Sequence, residues 1–217
     1  MLRLMMCLAA LLAWLPNANA AGTGKAKAAE EAGIPATSER LLMGLPDGWK
    51  LGFKGANKGY ILLEYIPAGE TVQNWTSLIA VQAFYKLGGK DPKLMINAVA
   101  QAAKKYCSKV YYTHPLHEVE NGYSTEVITQ FCANNTKTGK GEIASYKIIA
   151  GKDRMYLIRK AWRVPPMAGK QAVRDNIERV RPDMRYLARI RLCDLHDAGH
   201  ACPADMGDKG VKGGARK

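Results

Sequence analysis

The sequence predicts an α+β domain: a curved antiparallel sheet of about six to seven strands packed against helices. Three observations carry this expectation. Short runs of alternating polar and apolar residues recur along the chain, bounded by Gly, Pro, Asn and Asp. Two longer segments carry apolar residues at helical spacing. The resulting order is hairpin, strand, helix, four strands, helix, which suits helices laid on an antiparallel sheet.

Thr37-Ser38-Glu39-Arg40 followed by Leu41-Leu42-Met43 reads as a capped helical turn that Gly44 stops. Leu45-Pro46-Asp47-Gly48 is a turn, and residues 49–54 alternate like a half-buried strand. Asn57-Lys58-Gly59 turns the chain into a second strand, residues 60–66, so the pair makes a hairpin that Pro67 ends. Residues 78–85 form a short apolar run read as a third strand. Asp91-Pro92 opens a helix as N-cap and first-turn proline. Leu94, Met95, Ala98, Val99, Ala102 and Ala103 keep helical spacing up to Tyr106.

Beyond Cys107 the chain alternates again over residues 110–113, 123–131, 141–150 and 154–164. The turns are Glu120-Asn121-Gly122, Asn134-Asn135 with Gly139, and Gly151-Lys152-Asp153. After Pro165-Pro166 a late helix begins near Gly169 and carries Val173, Ile177, Val180, Met184 and Leu187, with Pro182 expected to kink or divide it.

The first residues have the build of a cleavable export signal. Arg3 supplies a positive start, residues 4–15 are free of charge, and Pro16-Asn17 break the helix ahead of Ala18-Asn19-Ala20. The apolar run is shorter than the roughly 20 residues a membrane-spanning helix needs. Small residues flanking Asn19 suit a signal peptidase, so cleavage is expected between Ala20 and Ala21. Cys7 lies within the apolar run rather than at its end, which argues against lipid attachment. The expected organisation is a signal peptide (1–20), a flexible leader (21–36), one α+β domain (37–202) and a disordered basic tail (203–217). The expected location is the periplasm or the exterior, with no transmembrane segment after cleavage.

Four cysteines lie beyond the signal: Cys107, Cys132, Cys193 and Cys202. In an oxidising compartment an even number implies disulfides. Three pairings are possible, and proximity in sequence favours Cys107 with Cys132 and Cys193 with Cys202. The chain carries 32 Lys and Arg against 19 Asp and Glu, a formal charge of +13. Such a charge speeds encounters with anionic partners such as phospholipid head groups, lipopolysaccharide or acidic glycans. Nucleic acid is disfavoured by the compartment and by the lack of regularly interleaved aromatics in the basic stretches.

Leu45-Pro46-Asp47-Gly48-Trp49, followed by strands, a helix, a meander with a Gly-Lys-Asp hairpin and a late helix, resembles the Mog1/PsbP-like fold over roughly residues 45–187. The segment 65–70 with Asn74-Trp75-Thr76 also resembles uncharacterised secreted proteins of Gram-negative bacteria. The resemblance implies a binding or assembly factor rather than a catalyst.

Several residues are candidates for function. Glu70 and Trp75 sit on the loop after the second strand, where they either form a recognition rim or, for Trp75, tuck beneath it as core. Arg174, Arg179, Arg181, Arg185, Arg189 and Arg191 give the late helix a cationic surface suited to lipid phosphates or an acidic partner. Cys193, His196, His200 and Cys202 have spacing that permits zinc, with Asp194 or Asp197 behind them, but a Cys193–Cys202 disulfide would use up the thiols. His114 and His117 flank Pro115-Leu116 on what reads as a polar edge strand. Nucleophile elbows and phosphate loops are missing from the sequence, so no cofactor and no catalysis are expected. The functional expectation is an exported binding or accessory protein for a partner protein or an anionic envelope component. The alternative is a secreted zinc-binding protein using residues 193–202.

Overall fold

A computed structural model describes residues 37–204; the export signal, the cleavage site, the leader and nearly all of the basic tail lie outside them. The strands are β1 (Glu39–Leu42), β2 (Trp49–Ala56), β3 (Tyr60–Pro67), β4 (Ser77–Phe84), β5 (Val110–Tyr112), β6 (Leu116–Glu120), β7 (Tyr123–Asn135), β8 (Lys140–Ala150), β9 (Met155–Val164) and β10 (Arg191–Asp194). The helices are α1 (Lys93–Tyr106), α2 (Gly169–Asp175) and α3 (Ile177–Ala188), followed by a 3-10 turn at Ala198–His200. Among these residues no helix is long and apolar enough to cross a membrane.

Eight strands form one antiparallel sheet in the order β2-β3-β4-β9-β8-β7-β5, with β6 also paired to β7. The α+β class is therefore as the sequence implies, with one strand more than expected. That strand arises because β5 and β6 share one edge of β7. Val110 to Tyr112 oppose Gln130 to Cys132, and Leu116 to Glu120 oppose Tyr123 to Val127. Pro115, which lacks an N–H, falls in the gap between them.

The central strands are covered on both faces, so their side chains are buried at nearly every position rather than at every second one. Leu78, Ala80, Ala144, Ile148 and Leu157 pack with Met95 and Val99 of α1 on one face. Ile79, Val81, Ile149 and Ile158 pack with Tyr186 and Leu187 of α3 and Leu192 of β10 on the other. Asp91 accepts the Lys93 N–H at 2.8 Å, fixing the start of α1 where the Asp-Pro pair places it. The disulfide Cys107–Cys132 ties the end of α1 to β7, and Cys193–Cys202 closes the last loop.

Two expectations are corrected. Residues 39–42 are a strand, not a helical turn: they pair with β10, Leu41 opposite Leu192 and Leu42 opposite Arg191. Glu39, 3 % exposed, reaches the β8–β9 turn, where it accepts the N–H groups of Lys152 and Asp153 and the Tyr156 hydroxyl. Burial raises its pKa, against the backbone donors that lower it. These distant partners outweigh a weak local capping pattern.

The late helix divides at Asn176 rather than at Pro182. The Asn176 side-chain amide donates to the Ala172 carbonyl at 2.8 Å and its backbone N–H to that of Val173, ending α2. Pro182 lies inside α3 on its exposed side.

Lys147, in the middle of β8, is fully buried. Its ammonium donates to Glu120 Oε2 at 2.6 Å, to the Ile190 carbonyl at 2.8 Å and to the Leu187 carbonyl at 3.1 Å. The last two are carbonyls at and just beyond the C-terminus of α3, where the helix dipole favours a cation. Burial lowers the Lys147 pKa, and Glu120 works against that shift. Lys147→Met leaves the two carbonyls without this donor, and a loss of about 3–5 kcal/mol is expected in urea unfolding. A loss under about 1 kcal/mol would show the interaction to be dispensable.

Candidate functional site

The most chemically distinctive place in the domain is a cleft of about 100 Å³ between α1 and the sheet. Its floor follows from strand register. Glu64 on β3 lies opposite Ala80 on β4, Ala80 opposite Arg159 on β9, and Arg159 opposite Tyr146 on β8. One row across the sheet thus reads Glu, Ala, Arg, Tyr. The small side chains of Ala80, Ala144 and Ala161 on this face, with Ala102 and Ala103 above them on α1, leave room for the long polar groups.

Arg159 donates through Nη2 to Glu142 Oε1. Burial opposes the guanidinium charge, but Glu142, Tyr146 and Glu64 more than offset it and raise its pKa. Burial raises the pKa of Glu64, with Arg159 pulling the other way, and pushes Tyr146 up to about 12. Glu142 also lies opposite Arg163 on β9, so the two carboxylates are matched by two guanidiniums. Gln130 is 5 % exposed and its Oε1 has no hydrogen-bond partner among the described residues, nor does Arg159 Nε. Leu62, Leu157 and Val99 supply apolar walls.

The opposite face holds a second buried charge. Lys160, 5 % exposed, lies between the rings of Trp49 and Trp162, 4.3 Å and 4.4 Å from their centroids, and touches the Ser77 hydroxyl. Trp162 donates its indole N–H to both oxygens of Asp183, at 3.1 and 2.9 Å. Burial lowers the Lys160 pKa to about 8, against Asp183, and raises that of Asp183 to about 6, against Lys160. A serine beside a lysine of depressed pKa is a pattern found at nucleophilic sites. Here Ser77 is 2 % exposed, so the pair is sealed within the core. It is a cation held in an aromatic box, and it anchors Asp183 of α3 through Trp162.

The expected site residues fall in different places. Trp75 is core, packed with Ile66 and Leu78, and the Arg163 guanidinium lies 4.1 Å from its ring centre. Glu70 accepts the Thr76 N–H at 2.7 Å and its hydroxyl at 2.5 Å. The two residues close their loop rather than form a recognition rim, because the Trp75 ring gains more from burial than a rim position would allow. Cys193 and Cys202 are bonded to each other and offer no thiolates. His200 contacts Asp197 Oδ2 at 3.0 Å and its ring lies 4.3 Å from that of Tyr123, tilted by 45°, while His196 is exposed. Among the described residues no group of three or more His, Cys, Asp or Glu is arranged to hold a metal. His117 contacts the buried Glu126 at 3.0 Å; His114 is exposed.

Three of the six arginines share one line, while Arg191 lies on β10 and pairs with Glu120. Arg181 and Arg185 on the outer side of α3, and Arg189 at its C-cap, follow one another every fourth position, opposite the buried Val180, Asp183 and Leu187. Arg181 meets Glu178 at 3.2 Å and Arg174 meets the Gln171 side chain, both at the exposed surface.

None of the cleft residues stands out in the sequence. The available signal is a charged or amide side chain at an inward position of a central strand, as with Gln130 in step with Ile128, or Arg159 with Leu157.

Neither the family models nor the curated proteins include a match to this chain. Among solved structures, a mutant of protein Mog1 is similar at 10 % identity and a TM-score of 0.45, covering 69 % of this chain and 88 % of that one. The Ran-binding protein Mog1p of Saccharomyces cerevisiae is similar at 9 % identity and a TM-score of 0.46, covering 76 % of this chain and all of that one. These are structures of the fold family that residues 45–187 resemble, and no functional residue is carried over from them.

The buried Asp183 gives the domain a signed pH response. Its folded pKa of about 6 lies above the ordinary 3.8, so its contribution is fully present below the unfolded value and lost as pH rises through the folded one. The stability difference between the wild type and Asp183→Asn should therefore fall between about pH 4 and pH 6, read by thermal melts at each pH. A difference that is flat or rises over that window would contradict the assignment.

Proposed function

We propose that this protein is a non-catalytic binding or accessory protein of the bacterial envelope, which engages a phosphate-bearing anionic surface through the outer side of α2 and α3. The reading rests on one observation: the Arg181, Arg185 and Arg189 stripe, with Glu178 as the acidic group on the same line of α3. Guanidinium groups pair with phosphate oxygens through two parallel hydrogen bonds, which an ammonium cannot do. The formal charge of +13 adds long-range attraction. Export through the signal read at residues 1–20, and the two cysteine pairs, support an oxidising compartment outside the cytoplasm.

Sedimentation with vesicles of phosphatidylglycerol and phosphatidylcholine tests the reading. Binding should weaken steeply between low and physiological salt. The triple change Arg181→Gln, Arg185→Gln, Arg189→Gln should reduce it about tenfold or more while leaving the melting temperature within a few degrees, since all three side chains are exposed. Binding that ignores salt, or survives the triple change, would contradict it.

A further inference from the structure

We infer that the outer edge of β2 is a docking site for an extended strand of a partner protein, one in which two apolar residues are flanked by acidic ones. β2 ends the sheet, and among the described residues the backbone of residues 50–56 bonds to β3 alone. The N–H and C=O groups on its other side are a template for one more strand. The side chains say which strand fits. Lys50 lies opposite Ile66 and Phe53 opposite Glu64, on the face covered by α1. Leu51 lies opposite Tyr65 and Lys54 opposite Leu63, on the face covered by α3. The bulge at Gly52 causes this division, since in a regular strand Lys50 and Lys54 would share a face. A side chain at Gly52 would meet Ile66 and Val72 at 2.9 Å, so this position belongs to the α1 face and offers a partner nothing but backbone.

Each face of the edge therefore presents one ammonium and one apolar side chain. Leu51 is 49 % and Phe53 44 % exposed. Lys50 and Lys54 are exposed, and neither meets a carboxylate among the described residues. The acidic groups nearby are Asp47, in the turn before the strand, and Glu64, which faces Arg159 in the cleft. An added strand alternates without a bulge, so consecutive residues meet Lys50, Leu51, Phe53 and Lys54: acid, apolar, apolar, acid. That order reads the same in either chain direction. Lysines on an edge commonly guard it against self-pairing, and residues 49–56 contain no acid, so a second copy would bring cations against cations. A guard alone gives no reason to keep two large apolar side chains in water beside the lysines. The edge is separate from the arginines of α3, and the inference stands without them.

The test is an NMR titration of the purified protein with two capped peptides of equal composition and charge, Thr-Glu-Val-Val-Glu-Thr and Thr-Val-Glu-Glu-Val-Thr, following the backbone amides of residues 49–56. The first should shift them saturably and bind at least about fivefold more tightly than the second. Methylating the amide nitrogens of its two valines should weaken it about tenfold or more, because one of them donates to β2 in either register. Changing Lys50→Glu together with Lys54→Glu should reverse the preference, so that Thr-Lys-Val-Val-Lys-Thr binds more tightly than its glutamate counterpart. Both lysines are exposed, so the melting temperature should stay within a few degrees. The α3 triple variant should bind the peptide like the wild type. Equal binding of the two orders, indifference to methylation, shifts centred on α3, or no saturable shift would overturn the inference. So would shifts at residues 49–56 on dilution of the protein alone, which would assign the edge to a second copy. The chain's own Asp205-Met206-Gly207-Asp208 lies outside the described residues and carries acids at the same spacing. Shifts at residues 49–56 caused by Asp205→Asn with Asp208→Asn would give the edge to that segment and overturn the partner.

Discussion

The ammonium of Lys147 is where the separate parts of this fold meet. It sits on the central strand β8, which faces α3, and takes the two carbonyls that end α3 together with the carboxylate of Glu120 on β6. Glu120 in turn receives Arg191 at the start of β10. A single buried charge thus links the end of α3, the end of β6 and the start of β10. Desolvating a lysine is costly, and only the full set of partners makes it tolerable. The second buried cation, Lys160, does the same further along α3 through the tryptophan box and Asp183. The outer side of the helix, with its arginines, is presented in a fixed orientation because its inner side is pinned at two charged points.

A sheet covered on both faces explains which parts of the molecule were legible in the sequence. The hairpin β2–β3, the helix α1 and the long strands β7, β8 and β9 are punctuated by Asn-Gly, Asp-Pro and Gly turn chemistry that acts within a few residues, so local pattern suffices. The β1–β10 pair joins Glu39, near the start of the described chain, to Asp194, far along it, and this tertiary partner holds residues 39–42 extended. The late helix stopped at Asn176 because a side chain reached back to its own last turn, while Pro182 found a place on the solvent side. Trp75 read as rim or, more readily, as core, and it packs as core against Ile66, Leu78 and Arg163.

The cleft shows the opposite limit. Arg159 and Lys160 are consecutive in sequence, yet they lie on opposite faces of β9, one over the cleft and one in the tryptophan box. In a half-exposed strand one of them would face water; here both are covered. Period-two alternation says that neighbours part company. It does not say that the solvent side has been roofed by a helix that comes from elsewhere in the chain. The arginine stripe was legible because an amphipathic helix carries its own division between buried and exposed sides.

The cleft and the stripe sit on opposite faces of one sheet. The central claim, that α3 is the face turned toward the anionic partner, is tested most directly by paramagnetic relaxation enhancement with spin-labelled lipid in phosphatidylglycerol micelles. The account predicts that broadening concentrates on the outer positions of α2 and α3, from Arg174 to Arg189, and spares α1 and the edge strand β2. Broadening centred on β2 or α1, or spread evenly over the domain, would contradict it.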